Sequence, residues 1–483
     1  MHSDDAARLS PGEPHRISAG LRTRFVEEFG RDPDGVWFAP GRANLNGEHV
    51  DFHGGRCLPM ALAHGTYVAA APRQDGLLRL RTLDPELDAG VQTLSVAAVD
   101  AVVGDDSRAP DDGEAPEIEA PVITDVHTLV PGEVSGWTWY VAGTLWALAR
   151  LGEETPELAV PEGFGADLLI CSTLPIGGGL SSSAALECSA MLAFVALATP
   201  LGAANPGTAL DSALDDELRA RLAAACMRAE VEVVGAGTGG LDQTVSLRGR
   251  AGHVVSLDCR DFTVERLPMD GLLAEHAFLA IDTRQAHWLG DGQFDDRRAD
   301  SEAAMHLLGV DRLRDLLPEH PETGEVDAAL ARFDELTGGH ELASEAEGLE
   351  GRSTAACRRR LRHALTEMLR SEQLDRILAD EGLEPTTAAA QVGRILTAGH
   401  ASMRDDAEVS FPAADALVET VSEVGALGAR LIGGGFGGSV LALVPRDRED
   451  AVIGAAARVC QEQGFTAPRF LTVEPSAPAR VVG

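Results

Sequence analysis

Short apolar runs and longer segments of helical spacing alternate along this chain. The apolar runs at residues 166–171 and 277–283 have the length of buried strands, and the pattern of residues 251–267 predicts a β-hairpin. Helices are predicted at residues 17–29, 136–150, 184–197, 217–234, 294–308, 388–403 and 411–424. The pattern therefore predicts a protein that combines helices with sheets.

The loop between the strand at 166–171 and the helix at 184–197 carries the clearest chemical signal. Its sequence, TLPIGGGLSSSAALECS at 173–189, places three glycines and three serines before a helix. The first turn of a helix has unpaired N–H groups and partial positive charge, and glycines let an anion approach the backbone. A flexible linker is the alternative, but linkers do not normally join a strand to an apolar helix. We therefore predict a phosphate-binding loop.

Composition narrows the class of phosphate loop. All 40 basic residues are arginine, because the chain has no lysine. A Walker A loop and a protein kinase each need a lysine on the nucleotide phosphates, and Schiff-base enzymes need one as nucleophile. The sequence therefore excludes these three classes.

A second polar motif is GRANLNGEHVDFHGGRCLP, at residues 41–59. Two carboxylates, an imidazole and a guanidinium stand there between glycines, and such groups can bond to several hydroxyls at once. They belong to Arg42, Glu48, His49 and Asp51. A solvated turn is the alternative, whereas a metal site is not indicated because the histidines lack further spaced ligands. We expect this motif to bind a sugar or another polyol.

Three further features have alternatives that the local sequence leaves open. Asp242 follows Glu230 by twelve positions and serves either as a helix N-cap or as a reactive carboxylate. The run LIGGGFGG, which ends at Gly438, forms either a wide hairpin turn or a loop that a ligand approaches closely. Trp137 and Tyr140 belong either to the core or to a surface that stacks on adenine.

Length and charge limit the class of protein. The 483 residues predict two domains, and the net charge of −36 would repel nucleic acid and anionic membranes, so we expect neither as a partner. Against that field a bound nucleotide needs local positive charge, which predicts dependence on a metal ion. The sequence indicates no signal peptide, and its seven scattered cysteines predict reduced thiols. We therefore expect a cytoplasmic protein, and a monomer.

The motifs GRANLNGEHVDFHGG, LPIGGGLSSSAA and LIGGGFGG occur in the order of the GHMP kinase superfamily, and the chain resembles the galactokinases within it. The resemblance covers roughly residues 38–444 and includes WTWYVAG, CMRAEVEVVGAGTGGLDQTVSL, GHVVSLDCR and SMRDDAEVSFPAADALV. It implies a two-lobed α+β GHMP kinase fold, with the active site in the cleft between the lobes.

The predicted domains follow from this resemblance and from two segments without periodicity. Residues 1–15 are polar and predict a disordered tail, and residues 104–133 are acidic and Pro-rich and predict a surface insertion, partly disordered. The N-terminal lobe is expected at residues 16–245 and the C-terminal lobe at 246–483.

The resemblance also implies a reaction, the phosphorylation of galactose to galactose 1-phosphate by ATP. Asp242 would be the catalytic base, with Arg42 beside it and the transferring phosphoryl group. Ser183 and Glu230 would hold Mg²⁺. The sugar would be held by Glu48, His49, Asp51 and Gly239, and ATP by Gly177, Gly179, Ser181, Ser182 and Trp137. Without lysine, Arg42, Mg²⁺ and the loop N–H groups must cancel the charge that phosphoryl transfer develops.

Two departures from the family pattern leave the sugar open. Phe294 stands where galactokinases usually carry a tyrosine that reaches the sugar, and Asn46 stands where they usually have an apolar residue. Because a site that bonds to a hydroxyl discriminates on that group, arabinose, N-acetylgalactosamine or another hexose is an alternative substrate. A non-catalytic sensor of sugar and ATP is a further alternative, although such proteins typically lose part of the serine loop or the base. The GEHVD cluster disfavours mevalonate or homoserine as the acceptor.

Overall fold

The computed structural model describes residues 7–84, 92–95, 136–285, 293–338 and 352–483, so the insertion predicted at 104–133 lies outside the described residues. The helices are α1 (Pro14–Phe29), α2 (Thr138–Glu154), α3 (Ser182–Ala198), α4 (Pro200–Ala204), α5 (Ala209–Ala213), α6 (Asp216–Arg228), α7 (Leu241–Arg248), α8 (Asp270–Leu273), α9 (Gln293–Leu308), α10 (Thr323–Leu336), α11 (Thr354–Ala379), α12 (Pro385–Asp405), α13 (Pro412–Glu423) and α14 (Glu449–Gln463). The strands are β1 (Ala7–Arg8), β2 (Gly35–Asn46), β3 (Arg56–Arg73), β4 (Leu77–Thr82), β5 (Gln92–Ser95), β6 (Gly165–Ser172), β7 (His253–Asp258), β8 (Thr263–Pro268), β9 (His276–Asp282), β10 (Gly428–Ile432), β11 (Ser439–Pro445), β12 (Arg469–Val473) and β13 (Arg480–Val481). The predicted α+β class is confirmed.

The first sheet has the strand order β13-β2-β3-β6-β4-β5, and the hairpin β7-β8 extends it from β3. Its inner strands are apolar on both faces because helices cover both. Along β2, Val36 and Phe38 pack against α1, whereas Trp37 and Ala39 pack against α2 and α3. Burial on both faces explains why these strands appear in the sequence as continuous apolar runs.

The second sheet has the order β1-β12-β9-β11-β10 and is also covered on both faces. Phe278 and Ala280 of β9 pack towards α12, and Leu279 and Ile281 pack towards α13 and α14. Helices α9, α10 and α11 form a third cluster with the β7-β8 hairpin. This cluster lies against the segment that follows β2, since Val50 belongs to it.

The two ends of the chain correct the predicted division of the sequence. Residues 7–8 form β1, which pairs in parallel with β12, and α1 begins at Pro14, so the prediction of a disordered tail is wrong for this part of residues 1–15. β13, predicted in the C-terminal lobe, pairs with β2 in the first sheet. The boundary predicted at residue 245 falls inside α7. Pairings between distant parts of the chain leave no local signal, which is why the sequence did not indicate them.

Other local predictions are confirmed. The strands at 166–171 and 277–283, the hairpin and the predicted helices are present with small shifts of their ends. The helix predicted at 217–234 ends as α6 and continues as a π-helical segment, Ala229–Val234. All seven cysteines are free. Within the described residues, no helix has the length and apolar character needed to cross a bilayer.

Candidate active site

A cleft of about 520 Å³ lies where the loops after β2, β6 and β10 meet, a size that suits a small ligand. It brings together every predicted site residue except Trp137. These are Arg42, Glu48, His49, Asp51, Gly177, Gly179, Ser181, Ser182, Ser183, Glu230, Gly239 and Asp242. Residues that lie far apart in the sequence therefore share one cavity.

The predicted phosphate loop occupies one wall of the cleft and ends at the N-terminus of α3. Gly177 and Gly179 have φ values of 68° and 69°, a region that L side chains rarely adopt. Ser181 is the N-cap of α3, and Ser182 and Ser183 begin its first turn. Because Ser181 makes no side-chain cap, the first N–H groups of this helix are available to an anion.

Asp242 lies in the first turn of α7 and points to Arg42. The Nε atom of Arg42 lies 2.8 Å from the Oδ1 atom of Asp242, and the Ser181 hydroxyl donates to the other carboxylate oxygen. The N-cap of α7 is Gly240, with φ of 80°, so the N-cap alternative for Asp242 is wrong. The guanidinium also donates to the Gly179 carbonyl oxygen at 2.6 Å, which fixes it between the carboxylate and the phosphate loop.

The second polar motif lines the same cleft. Glu48 is buried, with its Oε2 accepting from Asn44 Nδ2 at 2.9 Å and its Oε1 accepting from the backbone N–H of Gly433 at 2.8 Å. The His49 ring bonds through Nε2 to the Gly434 carbonyl oxygen at 2.9 Å. The run LIGGGFGG is therefore both a hairpin turn between β10 and β11 and a lining of the cleft.

Close packing joins Asp51 to Gly239. A Cβ added to Gly239 would lie 2.2 Å from Asp51 Oδ2, so only glycine fits beside this carboxylate. Desolvation, together with the charge of Asp242, raises the pKa of Asp51 to about 6. Burial also raises the pKa of Glu48, although Arg42 acts against the shift. Three carboxylates, those of Glu48, Asp51 and Asp242, thus lie near the one guanidinium of Arg42.

Glu230 lies on the π-helical segment, beside the serines of the phosphate loop. Its carboxylate accepts from the Ser183 hydroxyl and, at 2.6 Å, from Gln243 Nε2. Burial, with the charge of Asp242, raises the pKa of Glu230 to about 7. The described residues contain no cluster of three or more His, Cys, Asp or Glu side chains suited to a metal. One buried carboxylate and one hydroxyl fit Mg²⁺, which keeps several waters and binds substrate phosphates.

Trp137 and Tyr140 lie at the start of α2, where Trp137 is the N-cap. Both rings are partly buried and pack against the hydrophobic cluster of the first sheet. Tyr140 also lines the cleft, whereas Trp137 is absent from its lining. The packing fits the core alternative for both rings, and the contact of Trp137 with ATP stays a prediction.

The two departures from the family pattern have different outcomes. Phe294 lines the cleft, and its ring centroid lies 5.1 Å from that of His49. Asn46 is fully buried outside the cleft lining, and its amide donates to the Ser371 hydroxyl at 2.9 Å. Of the two departures, only Phe294 lines the cleft.

Sequence reasoning missed several polar groups around the cleft. Gln243 is fully buried and donates to both Glu187, at 3.0 Å, and Glu230. Burial raises the pKa of Glu187 well above its usual value, and the charge of Glu230 adds to the shift. Glu187 is the only charged residue of the apolar helix α3, and a lone carboxyl in a buried helix is a signal of function. Asn44, buried on β2, gave no comparable signal.

Three family models match the chain. The galactokinase galactose-binding signature matches residues 23–72, the N-terminal domain of GHMP kinases matches residues 140–250, and the C-terminal domain of GHMP kinases matches residues 385–462.

Relatives and solved structures agree with these matches. A galactokinase of Streptomyces coelicolor is 38% identical over 96% of this chain and 98% of its own length. A galactokinase of Mycobacterium tuberculosis is 35% identical over 89% of this chain and 94% of its own length. The structure of Lactococcus lactis galactokinase complexed with galactose has a TM-score of 0.71 and 26% identity, covering 96% of this chain and 99% of that one. A mevalonate kinase of Methanococcus jannaschii, with a TM-score of 0.51, 14% identity and coverage of 92% and 98%, shares the fold.

Proposed function

Because this chain belongs to the galactokinase family of the GHMP kinases, we propose that it transfers the γ-phosphoryl group of ATP to galactose and forms galactose 1-phosphate. Family membership makes the chain a sugar kinase. The observation that carries the proposed site is the ion pair of Arg42 and Asp242, which stands in the cleft between the phosphate loop and the polyol-binding motif. A carboxylate in that place can reach an acceptor hydroxyl and the phosphoryl group together.

Asp242 is the proposed catalytic base. Its Oδ1 faces Arg42 and its Oδ2 accepts from Ser181, so the carboxylate is held in one orientation before the sugar binds. The proton of the attacking sugar hydroxyl passes to this carboxylate as the new O–P bond forms and the bond to ADP breaks. Arg42 offsets the negative charge that collects on the transferring group.

The N-terminus of α3 is the proposed site of the ATP phosphates. Its first N–H groups have no side-chain cap, its three serines line the cleft, and Ser183 and Glu230 would hold Mg²⁺ there. The metal ion supplies charge neutralisation to the phosphates when it is bound. The residues that would hold the sugar, Glu48, His49, Asp51 and Gly239, line the same cleft.

A related sugar is the second candidate, and Phe294 is the observation that favours it. The ring lines the cleft but offers no hydroxyl to the acceptor. A sugar that differs from galactose in the hydroxyl to which the family's tyrosine bonds would lose less binding energy from the missing tyrosine than galactose does.

ADP release from Mg-ATP, measured with galactose, N-acetylgalactosamine, arabinose and glucose in turn, tests the proposal. Galactose should give the highest kcat/KM. Higher turnover with another sugar would replace galactose as the acceptor. Background rates with every sugar, with ATP still bound, would contradict the kinase assignment and favour a sensor of sugar and ATP.

A further inference from the structure

A buried charged pair holds the acceptor loop, residues 47–51, from outside the cleft. Glu367 of α11 is fully buried and does not line the cleft. Its Oε1 accepts from the backbone N–H of Gly47 at 2.9 Å and of Glu48 at 3.3 Å. These amides immediately precede the side chains proposed to bind the sugar, so the carboxylate fixes the loop rather than the substrate.

The second member of the pair joins the same carboxylate to the second sheet. Arg430 of β10 is fully buried and donates from Nη2 to Glu367 Oε1 at 2.7 Å, while its Nη1 donates to the Asn46 side chain. Three residues later the chain reaches Gly433, whose N–H donates to Glu48. The Arg430 guanidinium thus bonds to the carboxylate that holds the acceptor loop, and the strand that carries Arg430 leads directly into the glycine loop at residues 433–438.

The acceptor loop needs such support because its backbone is strained. Gly47 has φ of 108° and His49 has φ of 61°, and the second value is unfavourable for a residue with a side chain. Strained backbone persists where the surroundings over-determine it. The buried ring of His363, one turn before Glu367 on α11, also bonds to the Glu48 carbonyl oxygen at 3.1 Å. Helix α11 therefore fixes this peptide segment through both its N–H and its C=O groups.

Both oxygens of the Glu367 carboxylate are ion-paired. Arg370 donates to the second oxygen of Glu367 from Nε at 2.9 Å and from Nη2 at 2.8 Å. Burial raises the pKa of Glu367, but the guanidiniums of Arg430 and Arg370 outweigh it and hold the pKa far below its usual range. A buried ion pair is weak evidence for stability, because an apolar pair of the same volume is often as stable. The position of this ion pair, between the acceptor loop and the strand that leads into the glycine loop, is more informative than its contribution to stability.

We propose that Glu367 and Arg430 are positioning residues that hold the acceptor loop and the glycine loop at residues 433–438 in the mutual geometry that binds the sugar. The identity of the sugar rests on the proposed function. The constraint on the loops rests on the contacts alone.

Two substitutions test the pair. Glu367→Gln removes the charge, and Glu367→Asp keeps the charge beside the arginines but shortens the reach to Gly47. A matched control is Asp167→Asn. Asp167 is a fully buried carboxylate on β6 that accepts from Arg31 at 2.7 Å, Arg73 at 3.1 Å and Arg79 at 2.5 Å, and it does not line the cleft.

The Glu367 variants should raise KM for galactose by about 10-fold and change KM for ATP by less than about twofold. Asp167→Asn should lower Tm and leave KM for galactose unchanged. The proposal would be overturned if the Glu367 variants left KM for galactose unchanged. It would also be overturned if Asp167→Asn raised KM for galactose as much as they do. If Glu367→Gln does not fold, Glu367→Asp decides.

Hydrogen exchange gives a readout that does not depend on activity. The amides of Gly47 and Glu48 should exchange faster in the Glu367 variants than in the parent protein. In Asp167→Asn their exchange rates should equal those of the parent protein. Equal exchange in the parent protein, both Glu367 variants and Asp167→Asn would contradict the proposed constraint. If the parent protein shows no galactose-dependent turnover, the proposed function is wrong. The exchange rates would still show whether Glu367 holds the acceptor loop.

Discussion

Arg42 and Asp242 form an ion pair, with 2.8 Å between Nε and Oδ1, that joins the end of the first sheet's β2 to the first turn of α7. The Arg42 side chain is almost fully buried, whereas Asp242 keeps about a quarter of its side-chain surface exposed. Burial of the cation strengthens its field at the partner, and exposure of the carboxylate leaves room for an acceptor. The pair thus has the asymmetry that a base and its charge partner need.

Replacement of Asp242 by alanine should reduce kcat by about 10²–10⁴-fold, the usual contribution of a positioned base. ATP binding should remain nearly intact, because the phosphate loop and the N-terminus of α3 do not depend on this carboxylate for their backbone N–H groups. Steady-state ADP release and calorimetric titration with ATP measure the two effects. Unchanged turnover would remove Asp242 from its proposed role.

Replacement of Phe294 by tyrosine should raise kcat/KM for galactose by about 3–10-fold, the value of one added hydrogen bond. The new hydroxyl would enter the cleft beside His49, where Phe294 now offers only a ring. Phe29→Tyr is the control, since Phe29 packs on Phe25 in α1 and lies outside the cleft. An unchanged kcat/KM for galactose in Phe294→Tyr would show that other residues set the specificity.

Replacement of Glu230 by glutamine should raise the Mg²⁺ concentration for half-maximal activity by about 10-fold or more. The raised pKa of about 7 makes this constant depend on pH, because the carboxyl must lose its proton to hold the metal. In the parent protein the half-saturating Mg²⁺ concentration should increase as pH falls through about 7. The variant should lose that dependence.

The pKa of Glu230 can also be tested in the metal-free protein, through its effect on stability. Because the folded pKa of Glu230 lies above its unfolded value, its contribution to stability is present at low pH and is lost as pH rises through about 7. Calorimetric Tm values of the parent protein and Glu230→Gln should therefore diverge as pH rises, with the variant becoming relatively more stable. Glu232→Gln, in an exposed pair with Arg228, should change neither the Tm profile nor the Mg²⁺ dependence. Parallel profiles would contradict the assigned pKa.

Replacement of Gly239 by alanine should raise KM for the sugar, because the added Cβ would lie 2.2 Å from Asp51 Oδ2 and must displace that carboxylate. The expected increase is about 10-fold or more, as for other small displacements of a binding group. Gly324→Ala in α10 is the control, since nothing lies within 4 Å of its added Cβ. A sugar KM that is equal in both variants would show that Asp51 does not hold the acceptor.

Local signals predicted much of the cleft. The predicted loop does end at a helix N-terminus, although α3 begins at Ser182 rather than at the predicted residue 184. Such a signal is local because turn conformation and helix start depend on residues that are adjacent in sequence. The polar motif at residues 41–59 was identified from its side chains, and Arg42, Glu48, His49 and Asp51 do line the cleft. Glu367, by contrast, lies on a helix whose charged composition resembles that of any solvated helix, so its role was invisible.

The sequence by itself determined which segments become strands, helices and glycine loops, and it determined the set of chemical groups from which a kinase site is built. Tertiary structure alone decided which of those groups meet. It placed Arg42 against Asp242, brought Tyr140 but not Trp137 to the lining of the cleft, and returned β13 to the first sheet. The physical reason is that periodicity and turn chemistry act over a few residues, whereas packing and ion pairing join residues that only the folded chain brings together.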